Sequence, residues 1–167
     1  AGDALRGVLI TSGKDEILLV TRQGQAIRFR ESDIRLMGRA ASGVKAIRLG
    51  KDDEVIAMNV VQHGSTDERS HLLVVFSAGF GKRTPIKEFK RQKRGGSGLK
   101  AAKVTAKNGT VVNTRIIRDE SELIAISQKG QVIRTPLADV PALGRATQGV
   151  RVMRLAAGDR IASITTL

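Results

Sequence analysis

Short apolar runs separated by polar turns recur at three places along the chain. The runs ILLV from Ile17, LLVV from Leu72 and LIAI from Leu123 are each followed by a polar turn ending in glycine, and then by a second short run such as QAIRF or QVIRT. Apolar runs of this length between turn residues are typical of β-strands. A turn glycine adopts the positive φ of a tight hairpin without steric cost. The pattern therefore predicts three β-hairpins, and it contains no long amphipathic helix.

The hairpins belong to a repeat that extends through the chain. The second copy lies 55 residues after the first, the third lies 51 residues after the second, and the landmark residues keep these offsets. Each copy has a turn glycine, an arginine, an acid, a second arginine, a second glycine and a cation. In that order the positions are Gly24, Gly79 and Gly130; Arg28, Arg83 and Arg134; Asp33, Glu88 and Asp139; Arg39, Arg94 and Arg145; Gly43, Gly98 and Gly149; and Lys45, Lys100 and Arg151.

Further strand candidates complete a four-stranded unit in each copy. The first copy has VKAIRL and then EVIAMNVV, and the later copies end in TVVNTRII and RIASITTL. Four short strands in about 50 residues, repeated along a chain, are the signature of propeller-like folds. The predicted fold is all-β, an array of about three four-stranded blades with repeats at about 11–61, 69–117 and 120–167. Residues 1–10 align with the end of the third repeat and are expected to be the last strand of a preceding blade, and 62–70 is expected to be an inter-repeat loop.

Composition narrows the classes of function. With 167 residues, of which 41% are hydrophobic, the chain is long enough for a packed domain. No apolar run approaches the ~18 residues of a membrane span, and no targeting segment is evident, so a cytoplasmic location is expected. The absence of cysteine excludes disulfides, thiolate zinc sites and cysteine nucleophiles. His63 and His71 have no paired ligand spacing, so neither a metal nor a cofactor is expected.

Charge is the strongest signal of function. The chain has 29 Lys and Arg residues against 16 Asp and Glu, a formal net charge of +13, and the stretch 82–107 has ten basic residues against one acid, Glu88. Such an excess costs self-repulsion and indicates a polyanionic partner. Single-stranded nucleic acid is usually held by aromatic stacking, whereas this chain has four phenylalanines and neither tryptophan nor tyrosine. The composition therefore favours double-stranded DNA held through its phosphates.

The segment QKRGGSG at 92–98 is the leading candidate for phosphate binding. It occupies the same repeat position as MGRAASG at 37–43 and LGRATQG at 143–149, so it is not a disordered linker. Small residues let backbone N–H groups approach an anion, and arginine offers a forked donor that suits phosphate oxygens. The alternative is that equivalent turns need small residues to connect blades, with arginines that are solvated or structural.

The predicted DNA-binding residues cover this segment and the cations around its counterparts. The sequence leaves open which of Lys45 and Arg48, and which of Lys100 and Lys103, faces DNA. The full set is Gln92, Lys93, Arg94, Gly95, Gly96, Ser97, Gly98, Lys100, Lys103, Arg91, Lys90, Lys82, Arg83, Arg39, Lys45, Arg48, Arg145, Arg151 and Arg154.

These features resemble the C-terminal domain of the bacterial DNA gyrase A protein. QKRGGSG matches six of the seven positions of that family's GyrA box, with Ser97 where the family has a cation. GFGKRT at 79–84 and GRATQGVRVMRL at 144–155 are also similar to the family. The order of the repeats resembles the last three blades of the family's domain, so QKRGGSG is either the essential box or a box-like variant in a later blade.

The resemblance implies a β-pinwheel, a propeller-like ring whose neighbouring blades exchange strands, with DNA bent around its basic perimeter. It also implies a role in the DNA wrapping that directs strand passage and negative supercoiling. The remaining gyrase A domains and the gyrase B protein would be its protein partners. Gyrase cuts DNA with a tyrosine, and the chain has none, so it is expected to be a non-catalytic part of an ATP-dependent topoisomerase.

Two other interpretations stay open. The corresponding domain of topoisomerase IV has the same architecture, with fewer blades and a poorer box. A propeller-type adaptor for acidic protein partners would also need a basic surface, but it would bind duplex DNA weakly and without bending. Whatever the function, unpaired blade edges invite association. Self-association through such edges, with two copies closing one ring, is therefore a further hypothesis.

Overall fold

The computed structural model describes residues 4–64 and 69–167, which form antiparallel sheets and single turns of 3-10 helix. The first repeat contains β1 (Glu16–Thr21), β2 (Gln25–Arg30) and β3 (Val55–Val61). The second contains β4 (His71–Phe76), β5 (Phe80–Pro85), β6 (Leu99–Lys100) and β7 (Val111–Ile117). The third contains β8 (Glu122–Ser127), β9 (Val132–Pro136), β10 (Val150–Arg151) and β11 (Ile161–Thr166). The 3-10 turns are Glu31–Asp33, Ile86–Glu88 and Leu137–Asp139.

The three predicted hairpins are confirmed. They are β1–β2, β4–β5 and β8–β9, each antiparallel, and the glycine in each turn has φ near +80°. The last strand of each repeat, β3, β7 or β11, pairs with the first strand of the hairpin in the same repeat. Each of these pairings has a register shift close to the hairpin turn.

The fourth strand of a blade comes from the following repeat. In the first sheet, β6 pairs with β2 through Gln25–Lys100 and Ala26–Leu99. In the second sheet, β10 pairs with β5 through Phe80–Arg151 and Gly81–Val150. The strand orders are β3-β1-β2-β6 and β10-β5-β4-β7, followed by a three-stranded sheet, β11-β8-β9. Neighbouring blades therefore exchange strands, as the resemblance to the β-pinwheel implied.

Two predicted strands are not strands here. VKAIRL, at 44–49, lies in no strand, although its counterparts supply β6 and β10. Those counterparts pair because the hairpin of the preceding repeat offers them an edge, and the described residues contain no hairpin of a repeat that precedes residues 44–49. Residues 4–10 are exposed and also lie in no strand. Their assignment to a preceding blade stays a prediction, while residues 1–3 and 65–68, the centre of the expected loop 62–70, lie outside the described residues.

The hydrophobic core is divided between blade interfaces. Successive side chains of a strand point to opposite faces of its sheet, and both faces of the middle strands are covered, which explains the uninterrupted apolar runs. Leu18 and Val20 of the first blade pack with Leu72 and Val74 of the second. Leu73 and Val75 pack in the same way against the third blade, whose contributions include Leu123 and Ala125. On the other face of the first blade, Ile17, Leu19, Ile27, Phe29 and Ile47 form a smaller cluster.

The last strands of the repeats lie together at the centre of the array. β3 lies against β7, and β7 lies against β11. A buried hydrogen bond, donated by Asn59 Nδ2 to Thr114 Oγ1 at 2.9 Å, joins the first two. In the sheets, β6 and β10 are at the opposite end from these central strands. We refer to β6, β10 and the loops 92–98 and 143–149 that precede them as the exchange edge.

A repeated glycine permits the exchanged strands to approach. Gly98 has φ +76°, and a Cβ on it would lie 2.5 Å from the Ala26 carbonyl oxygen. Gly149 has φ +75°, and a Cβ there would lie 2.7 Å from the Gly81 carbonyl oxygen. Real Cβ atoms do not come this close to a backbone oxygen, so any side chain would push the exchanged strand away from the hairpin that it completes.

Gly98→Ala is expected to destabilise the chain more than the same substitution at a glycine of similar positive φ that has no backbone atom close to it. Alanine at positive φ costs about 1 kcal/mol, and the contact with Ala26 should raise the loss to roughly 2–4 kcal/mol. The matched control is Gly158→Ala, since Gly158 has φ +72° and faces only the end of the Lys129 side chain. Urea unfolding of both variants measures the difference, and equal losses would contradict the role given to Gly98.

Candidate nucleic-acid interface

The loop QKRGGSG is held against the preceding repeat by backbone hydrogen bonds. The Gly95 N–H donates to the Ala46 carbonyl at 2.7 Å, and the Arg48 N–H donates to the Gly96 carbonyl at 2.8 Å. The next repeat has the counterpart of the second bond, from the Lys103 N–H to the Thr147 carbonyl at 3.0 Å. The small residues therefore serve packing between repeats, and the Gly95 N–H, which the sequence offered to a phosphate, already has a protein acceptor.

The arginine of each loop binds the backbone of the preceding repeat. Arg94 donates from Nη1 to the Lys45 carbonyl and from Nε to the Asp33 carbonyl, the latter at 3.4 Å. Arg145 donates from Nη1 to the Lys100 carbonyl at 3.0 Å. Lys45 and Lys100 are repeat equivalents, so the two contacts are the same contact in successive blades. Both arginines keep further N–H donors, since a guanidinium has five. Their binding of phosphate stays a prediction.

Most of the predicted cations are exposed around the exchange edge. Residues 45–48 of the first repeat, the counterparts of 100–103, are hydrogen-bonded to loop 92–98, so they extend the same surface. None of the exposed cations named in the next sentence forms an ion pair with an acid among residues 4–64 and 69–167. The exposed ones are Arg39, Lys45, Arg48, Lys93, Lys100, Lys103, Arg151 and Arg154; Ser97 is also exposed, and Gln92 is half-buried.

Lys82 is a correction to the predicted set. Its side chain is 0% exposed, and its ammonium group donates to the Gly144 carbonyl at 2.8 Å and to the Arg145 carbonyl at 2.6 Å. It links β5 of the second blade to the loop of the third. No surface of Lys82 is left for a phosphate, so its role is to hold loop 143–149.

Three other predicted residues lie away from the exchange edge. Arg83 is half-buried and donates from Nε to the Val140 carbonyl at 2.6 Å, so it also joins the second and third blades. Arg91 has a nitrogen 3.4 Å from a Glu16 carboxylate oxygen. Arg91 and Lys90 are both exposed, and they line a polar cleft between the first two blades. Arg83 therefore links two blades and Arg91 shares its charge with an acid, while the binding of phosphate by Arg83, Lys90 and Arg91 stays a prediction.

The structure adds Lys107 to the surface. Its ammonium group lies 5.7 Å from the centre of the Phe80 ring, and the Arg151 guanidinium lies 5.5 Å from the same ring. Cations at this distance from a ring are attracted by its electron-rich face. Lys107 belongs to the basic stretch in the sequence, but only the fold brings it to Arg151, since the two residues are in different repeats.

Residues 4–64 and 69–167 contain neither a cluster of metal-ligating side chains nor a membrane-spanning helix. No three His, Asp or Glu side chains there are grouped so that they could hold a metal ion. Within the same residues, no helix has the length and apolar character needed to cross a bilayer.

Comparison with known proteins identifies the family. The sequence matches the family described as DNA gyrase C-terminal domain, beta-propeller, over residues 15–62, 71–118 and 121–167. The chain belongs to this family. It is 43% identical over 153 residues to the DNA gyrase A protein of Staphylococcus aureus, in strains that include MRSA252 and NCTC 8325. That alignment covers 92% of this chain and 17% of the relative, so the chain spans about a sixth of the length of these gyrase A proteins.

Solved structures of gyrase-type C-terminal domains have the same fold. A structure of a DNA gyrase A C-terminal domain superimposes with a TM-score of 0.81 at 25% identity, covering 92% of this chain and 50% of that one. The C-terminal domain of DNA topoisomerase IV superimposes with a TM-score of 0.82 at 22% identity, covering 93% of this chain and 47% of that one. The second likeness concerns the fold alone. The three family matches follow the three repeats, and each contains one of the hairpins.

The burial of Lys82 makes the free energy of unfolding depend on pH. Burial lowers the pKa of Lys82 from its ordinary value of 10.5 to about 8, the nearby Glu88 carboxylate opposes this effect, and the Arg145 guanidinium adds to it. The unfolded chain keeps the ordinary pKa, so between these two values it binds the proton more tightly than the folded chain does. The contribution of Lys82 to the free energy of unfolding must therefore rise with pH in this window.

Lys82→Met is expected to change the pH dependence of stability. Relative to this variant, the unmodified chain should gain about 1 kcal/mol of unfolding free energy between about pH 7 and 9. Urea unfolding at several pH values measures both curves, and Lys87→Met, at an exposed position, is the control that should leave the curve unchanged. Parallel curves for Lys82→Met and the unmodified chain would contradict the assignment.

Proposed function

We propose that this chain binds double-stranded DNA along its exchange edge and bends it, as a non-catalytic part of a DNA gyrase A protein. The observation that carries the proposal is the recurrence of exposed cations without acidic partners at equivalent positions of successive blades, Lys45, Lys100 and Arg151. Phosphates along a duplex also recur at a regular spacing. A regular row of cations suits such a backbone better than it suits an irregular protein surface.

Phosphate neutralisation would supply most of the affinity. Lysines on a protein surface displace condensed counterions from DNA, which makes binding favourable and dependent on salt. Lys93, Lys100 and Lys103 lie on or next to β6 with exposed side chains. The loop arginines, Arg94 and Arg145, would use the N–H groups that the backbone carbonyls leave over. None of these contacts requires a particular base, so binding would depend little on sequence, except through DNA bendability.

Bending follows from the arrangement of the blades. The central strands β3, β7 and β11 lie next to one another, whereas β6 and β10 complete their sheets at the opposite ends. A duplex that contacts successive blades at the exchange edge would therefore follow a curve. Bending a 20–30 bp site by tens of degrees costs on the order of 1–6 kcal/mol. Several phosphate contacts from each blade would have to offset that cost.

Family membership supports the enzymatic setting. The S. aureus relatives are gyrase A proteins several times longer than this chain, and the cutting of DNA would belong to regions outside it, since the chain has no tyrosine. The other gyrase A domains and gyrase B would be its partners, in the cytoplasm. The 43% identity to gyrase A favours gyrase over topoisomerase IV. The acid-free cations favour DNA over an adaptor role, in which duplex DNA would bind weakly and stay straight.

Charge removal on the exchange edge is expected to weaken DNA binding and to reduce its salt dependence. For a ~150 bp duplex, log K should fall with log salt with a slope of about −5 or steeper. Replacing Lys93, Lys100 and Lys103 together by Gln should reduce that slope by about 2–3, since each lost phosphate contact removes about 0.9. Fluorescence titration across a salt series, with single-stranded competitor, measures the slope.

A variant of equal net charge separates local contacts from general attraction. Lys14→Gln, Lys51→Gln and Lys129→Gln remove three exposed lysines outside the exchange edge, and together they should leave the slope close to its original value. Energy transfer between dyes at the two ends of a shorter duplex reports the bend. Equal effects of the two triple variants, or binding without a change in end-to-end distance, would contradict the proposal and favour the adaptor.

A further inference from the structure

The cleft beside the exchanged strand β10 contains three cations and no acid. It has a volume of about 530 Å³, and its lining in the described part of the chain includes Phe80, Lys107, Arg151 and Arg154 but no Asp or Glu. The polar cleft between the first two blades also has cations, but there the Glu16 carboxylate lies among them and forms ion pairs. The cleft beside β10 therefore keeps a positive charge that no lining carboxylate compensates.

One aromatic ring places two of these cations. The Lys107 ammonium group lies 5.7 Å and the Arg151 guanidinium 5.5 Å from the centre of the Phe80 ring. Arg151 is directly opposite Phe80 in the pairing of β10 with β5, so the two side chains project from the same face of the sheet. Phe80 is only 5% exposed, which leaves little surface for stacking on a nucleic-acid base. Its ring serves instead to hold both positive groups at one cleft.

The turn that carries Lys107 is fixed by a buried amide. Asn108 is 0% exposed, and its Oδ1 accepts hydrogen bonds from the backbone N–H and the hydroxyl group of Thr105, at 2.7 and 2.9 Å. Its Nδ2 donates to the Gln148 carbonyl of the third repeat at 3.0 Å. Gln148 comes shortly before Arg151 in the chain. The amide therefore fixes the backbone that carries Lys107 relative to the backbone that carries Arg151.

The other two repeats have different residues at the same positions. In place of Phe80, Lys107 and Asn108, the first repeat has Gln25, Asp52 and Asp53, and the third has Gln131, Gly158 and Asp159. Asp53 and Asp159 accept hydrogen bonds from the turns of their own hairpins, and an ionised carboxylate has no N–H to donate to a following repeat. The combination of ring, paired cations and bridging amide is therefore specific to the junction of the second and third blades.

We propose that Lys107 and Arg151 together hold one backbone phosphate of the bound duplex, with Phe80 as the residue that positions both. This inference rests on the proposed binding of DNA along the exchange edge, and it identifies the junction of the second and third blades as the tightest point of that binding. Arg151 presents a planar fork of N–H donors to the phosphate oxygens, whereas Lys107 acts as a point charge.

Two physical effects favour a phosphate at this pair over one at a single exposed lysine. The two positive groups repel each other, and a phosphate between them replaces that repulsion by two attractions. Contact with the Phe80 ring also restricts both side chains before DNA arrives, so they lose less conformational freedom when the phosphate binds. In the first blade, Lys100 holds the place of Arg151 but has the polar Gln25 opposite it instead of a ring.

The salt dependence of duplex binding tests whether the two cations share a phosphate. Each neutralised phosphate contributes about 0.9 to the slope of log K against log salt. The double variant Lys107→Gln/Arg151→Gln is therefore expected to reduce the slope by about 0.9 in total, since it removes one phosphate contact, and not by about 1.8. Fluorescence titration of a ~150 bp duplex across a salt series measures the slope for the unmodified chain, both single variants and the double variant.

A second double variant with the same change in net charge is the matched control. Lys45→Gln/Arg151→Gln combines the same arginine with an exposed lysine of the first repeat, which does not line the cleft beside β10. These two cations would hold different phosphates, so the control should reduce the slope by about 1.8. Because both double variants remove two positive charges, a difference between their slopes cannot come from net charge.

Substitutions of Phe80 test its positioning role. Phe80→Leu is expected to weaken duplex binding by about threefold to tenfold at a nearly unchanged slope, because both charges remain but are no longer ordered before binding. Phe80→Tyr keeps the ring and should retain the affinity. Without DNA, the ring should shift the NMR resonances of the Lys107 and Arg151 side-chain protons upfield, and only the leucine variant should lose that shift. Urea unfolding shows whether each variant is folded.

The outcomes separate this inference from the proposed function. An unmodified chain that does not bind the duplex, or binds it without salt dependence, would overturn the proposed function and the shared phosphate with it. Steep salt dependence together with equal slopes for the two double variants would overturn the shared phosphate alone. Equal affinities of Phe80→Leu and the unmodified chain would overturn the role of Phe80, whatever the slopes of the charge variants.

Discussion

Each exchanged strand, β6 or β10, is only two residues long, yet it completes the sheet of the preceding blade. A strand of that length cannot be stable by itself, so it needs backbone partners on the hairpin that it joins and a chain that can come very close. Gly98 and Gly149 provide that approach. Once the strand is in place, the loop before it and the cation within it have fixed positions. An arginine, two small residues, a variable residue and a glycine recur at 39–43, 94–98 and 145–149. This pattern is therefore required first for the junction between blades, and any role in phosphate binding is additional.

The same requirement divides the basic residues into two kinds. Some cations hold a junction together: Arg83 binds the Val140 carbonyl, and Lys82 is buried on two carbonyls of loop 143–149. Those that point away from it, such as Lys100 and Lys103, stay exposed. Burial lowers the pKa of Lys82 to about 8, so holding this cation on the two carbonyls has an electrostatic cost. The exposed cations are the ones available to bind a polyanion.

The parts of the fold that can be predicted are those that one repeat determines by itself. The hairpins follow from apolar runs and turn glycines, and the blade count follows from the repeat. What depends on a neighbouring repeat is not predictable in the same way. Residues 44–49 have the same sequence character as their counterparts, but a strand forms only where a preceding hairpin is present to accept it. Lys82 lies in a basic run, which predicts that its side chain is exposed. The residues at the same position of the other two repeats are Ile27 and Ile133, and these apolar counterparts are the signal in the sequence that Lys82 is buried.

In an array whose blades take a strand from the following repeat, the same junctions determine both the assembly of the blades and the proposed ligand-binding surface. The exchange edge is continuous only where a junction has formed, because Lys100 and Arg151 are placed by the exchanged strands β6 and β10 that carry them. A polyanion that contacts both sides of a junction would bind the chain more tightly when the exchanged strand is paired than when it is released, and it would stabilise the pairing by mass action. It would also relieve the self-repulsion of a chain with a net charge of +13. Strand exchange and DNA binding would then reinforce each other, through the same short strands and without any change in the shape of a blade.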